Sequence, residues 1–70
     1  EKDYAQAVFW FTKAAGFGDE VAQGKLGYLY AAGLGVPKDK VRAYAWLKMA
    51  SRNGDSQASK DLARLEKQMT

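Results

Sequence analysis

Residues 22–39 of this chain read AQGKLGYLYAAGLGVPKD. Ala22, Leu26 and Leu29 follow one another at spacings of four and three, which is the spacing of one face of a helix. Glycines at 33 and 35 then interrupt this pattern, because glycine takes the positive φ angles that other residues avoid. Pro37 fixes a φ angle that suits a turn or the first residues of a helix. The stretch therefore predicts one helix, a stiff link and the start of a second helix.

The same pattern occurs elsewhere in the chain, displaced by 36 residues. This shift pairs Asp3 with Asp39, Ala7 with Ala43, Trp10 with Trp46, Ala14 with Ala50, Gly18 with Gly54, Asp19 with Asp55, Ala22 with Ala58, Leu26 with Leu62 and Leu29 with Leu65. Within each segment the identities are three, four or seven residues apart, as on a helix face. We interpret them as an internal repeat, which is the signature of a solenoid.

Helix boundaries follow from the aspartates and glycines of this repeat. Asp3, Asp19, Asp39 and Asp55 each precede an apolar-periodic stretch, where a carboxylate accepts the free N–H groups of a first turn. Gly18 and Gly54 follow two of these stretches, where a left-handed residue ends a helix. We expect helices at about 4–16, 20–32, 40–52 and 56–68. The short links favour antiparallel neighbours, so the predicted fold is all-α, an α/α solenoid of about four helices.

The apolar positions also predict the core. We expect the third helix to pack Ala43, Trp46, Leu47 and Ala50, and the fourth to pack Ala58, Leu62, Leu65 and Met69. By the repeat, Trp10 is expected in the core together with Trp46, and Leu34 and Val36 of the link are expected to turn inward.

The first helix is apolar on all sides, because residues 7–11 read AVFWF. Such a helix needs cover on more than one side. We therefore expect the chain to be a piece of a longer protein with a further helix before this one. The chain by itself should expose a patch around Phe9 or self-associate through it.

Composition excludes several classes of site. The 70 residues contain no cysteine and no histidine, so disulfides, thiolate metal sites and thiol catalysis are excluded, and the commonest general base is absent. We expect no metal and no cofactor. No apolar run is long enough to span a membrane, and the compartment is left open. The net charge is −1 over residues 1–35 and +4 over residues 36–70.

These residues resemble the Sel-one-like repeats (SLR), relatives of the tetratricopeptide repeats (TPR). The resemblance is carried by Ala22, Leu26-Gly27, Tyr30, Gly33, Gly35-Val36 and Asp39, followed by Ala43, Trp46, Ala50 and Gly54. It covers nearly the whole chain and implies the second half of one repeat at 3–18, a full repeat at 19–54 and the first half of a last repeat at 55–70. Ala63 replaces the glycine of the pattern and Glu66 its tyrosine, which indicates a capping helix with a solvated outer face. The Ala-Tyr-Ala-Trp run at 43–46 is similar to bacterial members.

The resemblance implies an adaptor or scaffold that presents a concave helical surface to a protein or peptide. Transferred onto this sequence, the concave surface comprises Val21, Gly24, Tyr28 and Ala31 on one helix and Gln57, Lys60, Arg64 and Lys67 on another. An apolar shelf beside three cations would suit an acidic or carboxylate-terminated peptide. Lys60, Arg64 and Lys67 could instead be only the solvated side of the capping helix.

Two other functions are open at this point. Nucleic acid or another polyanion could bind the basic second half, with Tyr28 as a stacking platform; interspersed Asp61 and Glu66 argue against it. An enzyme, for example one related to β-lactams or the cell wall, is the least expected, because the carboxylates stand mainly at helix starts, where capping explains them.

Overall fold

An aspartate stands immediately before each helix of this protein, and it holds the helix's first turn. In the structure, a computed structural model that describes residues 3–69, the helices are α1 (Tyr4–Gly16), α2 (Glu20–Ala32), α3 (Lys40–Arg52) and α4 (Ser56–Met69). Oδ1 of each aspartate accepts a backbone N–H three residues on, from Gln6, Ala22, Arg42 or Ala58. Caps of this kind contribute about 1 kcal/mol each. The predicted helices are confirmed, with α4 one residue longer.

The helices stack in chain order. α1 packs on α2, α2 on α3 and α3 on α4, and α2 also touches α4. Described residues 3–69 contain no strand. The all-α solenoid architecture expected from the repeat is therefore confirmed.

Two clusters of small and aliphatic side chains form the core. The first comprises Ala15, Ala22 and Leu26, and the second comprises Ala43, Leu47, Ala50, Ala58 and Leu65. The axes of α2 and α3 come close at Gly27, which has no side chain. A Cβ built on Gly27 would lie 2.7 Å from Cγ of Leu47. The absence of a side chain at Gly27 therefore sets the distance between α2 and α3.

The link between α2 and α3 contacts the beginning of α1. Gly35 has φ +79°, and a Cβ on it would lie 2.5 Å from the carbonyl carbon of Tyr4. Only a glycine combines that backbone conformation with so close an approach. Leu34 and Val36 on either side are half-buried, as their predicted inward position requires.

The two tryptophans of the repeat differ in their surroundings. Trp46 is half-buried against the first core cluster, whereas Trp10 is 57% exposed, so its predicted place in the core is wrong for this chain. Trp46 packs on the hairpin of α1 and α2, which precedes it in the chain. Among described residues 3–69, no such hairpin precedes Trp10. Phe9 is 54% exposed, as expected. Met69, expected to pack with the core face of α4, is 43% exposed because it ends that helix.

Candidate functional site

A groove runs between α2 and α4 and consists of two adjoining depressions. The larger, about 360 Å³, is lined by Val21, Gly24, Lys25, Tyr28, Asp55, Gln57, Ala58, Asp61 and Arg64. The smaller, about 170 Å³, is lined by Tyr28, Ala31, Ala32, Leu47, Asp61, Arg64, Leu65 and Gln68. Tyr28, Asp61 and Arg64 line both depressions, so the two form one continuous surface. We call it the α2–α4 groove.

The floor of the groove depends on Gly24. A Cβ at this position would lie 2.6 Å from Oδ2 of Asp55 and 3.5 Å from the Ala58 side chain. The missing side chain lets the carboxylate that caps α4 approach the α2 backbone closely. Oδ1 of the same carboxylate accepts the N–H groups of Gln57 and Ala58 at 3.0 and 3.3 Å. Asp55 therefore holds α4 in place beside α2.

Asp61 organises the polar wall of the groove. Its side chain is 16% exposed, and Oδ1 accepts a hydrogen bond of 3.2 Å from Nε2 of Gln57. The Arg64 guanidinium lies 3.6 Å from the same oxygen and is itself 71% exposed. Gln57 and Arg64 thus compensate the Asp61 carboxylate, while the guanidinium keeps most of its donors open to solvent.

The apolar part of the groove belongs to α2. Val21 is 53% exposed and Tyr28 is 49% exposed, and the two stand seven residues apart on the same side of the helix. Half-exposed side chains of this size can contact a ligand without a rearrangement of the core. A partner can therefore bury apolar surface here at no cost to the fold.

Four of the six binding residues predicted from the sequence line the groove: Val21, Tyr28, Gln57 and Arg64. The glycine and alanine predicted beside them, Gly24 and Ala31, line it too. Lys60 and Lys67 line neither depression. Of the three cations expected beside the apolar shelf, Arg64 is the one that lines the groove. The cations of the groove are Lys25 and Arg64, and two carboxylates face them.

Helix geometry explains why the two lysines are displaced. A shift of 36 residues selects the same face of α2 and α4, but a groove between two neighbouring helices is lined by opposite flanks of them. At about 100° per residue, Lys60 and Lys67 are rotated about 40° and about 60° from Arg64 in the same direction, away from α2. Ala58, Asp61 and Leu65 lie on the flank that turns toward α2.

Neither a metal site nor a membrane-spanning helix is found in the part of the chain that the structure describes. No three carboxylates of residues 3–69 come together in a way that could hold a metal ion. None of the helices formed by these residues has the length and apolar character that crossing a membrane requires.

Comparison with known proteins identifies a matching family model and a similar solved structure. A family model described as Sel1 repeat matches residues 1–16 and 21–55. The crystal structure of a Sel1 repeat protein from Oxalobacter formigenes is similar to this chain, with a TM-score of 0.88 and 48% sequence identity. The similarity covers 90% of this chain and 18% of that one, so the chain spans under a fifth of the length of that relative.

Proposed function

Since the chain belongs to the Sel1 repeat family, we propose that it is an interaction module that holds an extended peptide segment of a partner protein in the α2–α4 groove. Sel1 repeats generally mediate protein–protein interaction, and the family is generally a non-enzymatic helical scaffold. We propose the same for this chain, with repeat boundaries at 3–18, 19–54 and 55–70.

The observation that carries the proposal is the continuity of the groove across Tyr28. Tyr28 lines both depressions, as do Asp61 and Arg64 from α4. An extended peptide rises about 3.3 Å per residue and points successive side chains in opposite directions. A segment along the groove would place one side chain in each depression.

The lining residues define the chemistry of the segment. Val21 and Tyr28 would receive an apolar side chain, and Arg64 and Lys25 could donate to carboxylates or backbone carbonyls. Asp55 and Asp61 bring the charge of the groove lining to zero, since two cations face two carboxylates. A partner segment with an apolar anchor and both signs of charge therefore fits this groove better than a uniformly acidic one.

A partner capture with four variants tests the proposal. Tyr28→Ala and Arg64→Ala change the groove, while Val41→Ala and Arg42→Ala serve as controls on α3. Arg42 is a matched control, because it is 66% exposed and pairs with an aspartate three residues earlier at 3.4 Å, as Arg64 does at 3.6 Å. We expect both groove variants to lose a partner that both controls retain, with all four chains folded by circular dichroism. Retention of every partner by the groove variants would overturn the proposal.

A salt titration separates this function from nucleic-acid binding. The affinity of a single-stranded oligonucleotide falls steeply with salt, because counterions released from phosphates are the driving force. Binding of a partner through Val21 and Tyr28 should change little between low and physiological salt. A steep loss for the captured partner, or tighter binding of the oligonucleotide than of the partner, favours the polyanion alternative.

A further inference from the structure

α3 carries positive charge and no carboxylate. Its sequence, KVRAYAWLKMASR, contains Lys40, Arg42, Lys48 and Arg52 and no acidic residue. Arg42 is compensated by Asp39 at 3.4 Å. Lys40, Lys48 and Arg52 have no acidic partner within described residues 3–69. α3 thus differs from the α2–α4 groove, where cations and carboxylates balance.

Two of these cations, Lys48 and Arg52, line a depression on the outer side of α3. This depression, about 440 Å³, is lined by Tyr44, Ala45, Lys48, Met49, Arg52 and Asn53, a set that we call the α3 patch. Met49 is 46% exposed. The Lys48 ammonium lies over the Tyr44 ring, 5.5 Å from its centre, so charge and apolar surface stand side by side in the α3 patch.

The close contact between α2 and α3 has no equivalent position on α4. α3 docks on α2 because Leu47 fits against Gly27, where a Cβ would be only 2.7 Å from its Cγ. Ala63 stands 36 residues after Gly27 and has that Cβ, and Glu66 stands where α2 has Tyr30. A helix built like α3 would therefore pack on α4 less closely than α3 packs on α2.

We propose that the α3 patch binds an acidic amphipathic segment of a partner protein. Carboxylates of the segment pair with Lys48 and Arg52, and one apolar side chain fills the depression against Met49 and Tyr44. Charge complementarity identifies this occupant, since the patch offers cations and apolar surface and no competing carboxylate. A lipid surface fits less well, because a helix face that inserts into a membrane needs protruding apolar side chains, whereas Tyr44 and Met49 line a concavity.

The test uses the 70-residue chain and a labelled amphipathic peptide of glutamate, leucine and alanine. The same peptide with lysine in place of glutamate reports on charge, and vesicles of phosphatidylglycerol and phosphatidylcholine report on lipid binding. Lys48→Glu reverses a charge in the α3 patch. Lys60→Glu is the matched control, because Lys60 is also an exposed lysine within a helix and lines none of the three depressions described.

We expect the glutamate peptide to bind and the lysine peptide not to bind. Lys48→Glu should weaken binding on the order of tenfold, and Lys60→Glu less than about twofold, because an exposed charge outside the contact acts only through the screened overall field. Circular dichroism and urea unfolding establish that both variants fold. Tyr28→Ala should leave this affinity unchanged, which separates the α3 patch from the α2–α4 groove.

Four outcomes would overturn the proposal. The native chain does not bind the glutamate peptide, or binds the lysine peptide equally well. Lys48→Glu and Lys60→Glu weaken binding to the same extent, in which case only net charge matters. The native chain binds anionic vesicles but not the peptide, in which case the surface recognises lipid.

Discussion

The side-chain amide of Asn53 donates to Oε1 of Gln23 at 3.0 Å, although the two residues are 30 positions apart. Nε2 of the same glutamine donates to the carbonyl oxygen of Ala15 at 3.3 Å, and the glutamine is 2% exposed. One buried amide therefore joins the ends of α1 and α3 to the first turns of α2. In the next unit Ser59 contacts Ser51 in the equivalent place, at 2.5 Å between hydroxyl oxygens.

Asn53→Ala is expected to lower the free energy of unfolding by about 1–3 kcal/mol, because it leaves the buried Gln23 oxygen without its donor. Urea denaturation followed by circular dichroism measures the change. Ser51→Ala serves as the control, since its hydrogen bond lies at the surface and its loss should cost less than about 0.5 kcal/mol. Equal effects of the two substitutions would show that burial of Gln23 does not determine the cost.

Gly27→Ala is expected to destabilise the chain by about 1–3 kcal/mol. The new Cβ would meet Cγ and Cδ2 of Leu47 at 2.7 and 2.9 Å, and the backbone nitrogen of Leu47 at 3.1 Å. Gly16→Ala is the matched control: a Cβ there meets nothing within 4 Å, and alanine is the better helix former by about 0.5–1 kcal/mol. Thermal unfolding of the two variants should shift in opposite directions. A neutral Gly27→Ala would mean that α2 and α3 separate easily.

Trp46→Ala and Trp10→Ala should differ in cost although the repeat makes them equivalent. Trp46 is half-buried against the first core cluster, so its truncation should cost about 3 kcal/mol, the lower end for a large aromatic side chain. Trp10 is 57% exposed and should cost less than about 1 kcal/mol. Guanidinium denaturation followed by far-ultraviolet circular dichroism compares the two variants without relying on tryptophan fluorescence. Equal losses would place Trp10 in an apolar contact, as in a self-associated chain.

Gly24→Ala and Asp55→Ala should be coupled. The first brings a Cβ within 2.6 Å of Oδ2 of Asp55, and the second removes that oxygen together with the cap of α4, which contributes about 1 kcal/mol. In the native background Gly24→Ala should destabilise; in the Asp55→Ala background its cost should fall by about 0.5 kcal/mol or more. A double-mutant cycle from unfolding free energies measures this coupling. Simple additivity would contradict the contact.

The helices and their ends could be predicted because the signals for them are local. Asp19 caps α2 through its own side chain, and Gly33 ends α2 with a positive φ angle. Each signal acts within a few residues, so the sequence displays it directly. The helix order and the repeat followed from the spacing of these same residues.

Burial of the tryptophans could not be predicted in the same way. The 36-residue repeat treats Trp10 and Trp46 as equals, yet burial depends on which helices lie beside each of them. Only Trp46 has a preceding hairpin among the described residues. Periodicity specifies a face, and only the neighbours present determine whether that face is covered.

The residues that line the α2–α4 groove could be predicted in part. Tyr28 and Arg64 were identified, whereas Lys25 and Asp61 were missed, although they are themselves related by the 36-residue shift. The repeat transfers one face from α2 to α4, and a groove between them uses opposite flanks. A helical-wheel projection in which α2 and α4 are each rotated toward the other places Asp61 in the groove.

The contact of Gly35 with Tyr4 is made by main chain on both sides, and this has a consequence for how such a protein can change over generations. A joint without side chains does not depend on the neighbouring side chains, so the position of the α2–α3 link on α1 can be inherited while the residues of the α2–α4 groove and the α3 patch diversify. Lengthening the link would alter that position, even though exposed loops usually tolerate insertion. The link therefore fixes the spacing between the neighbouring helix pairs, and binding specificity can change without a change in the scaffold.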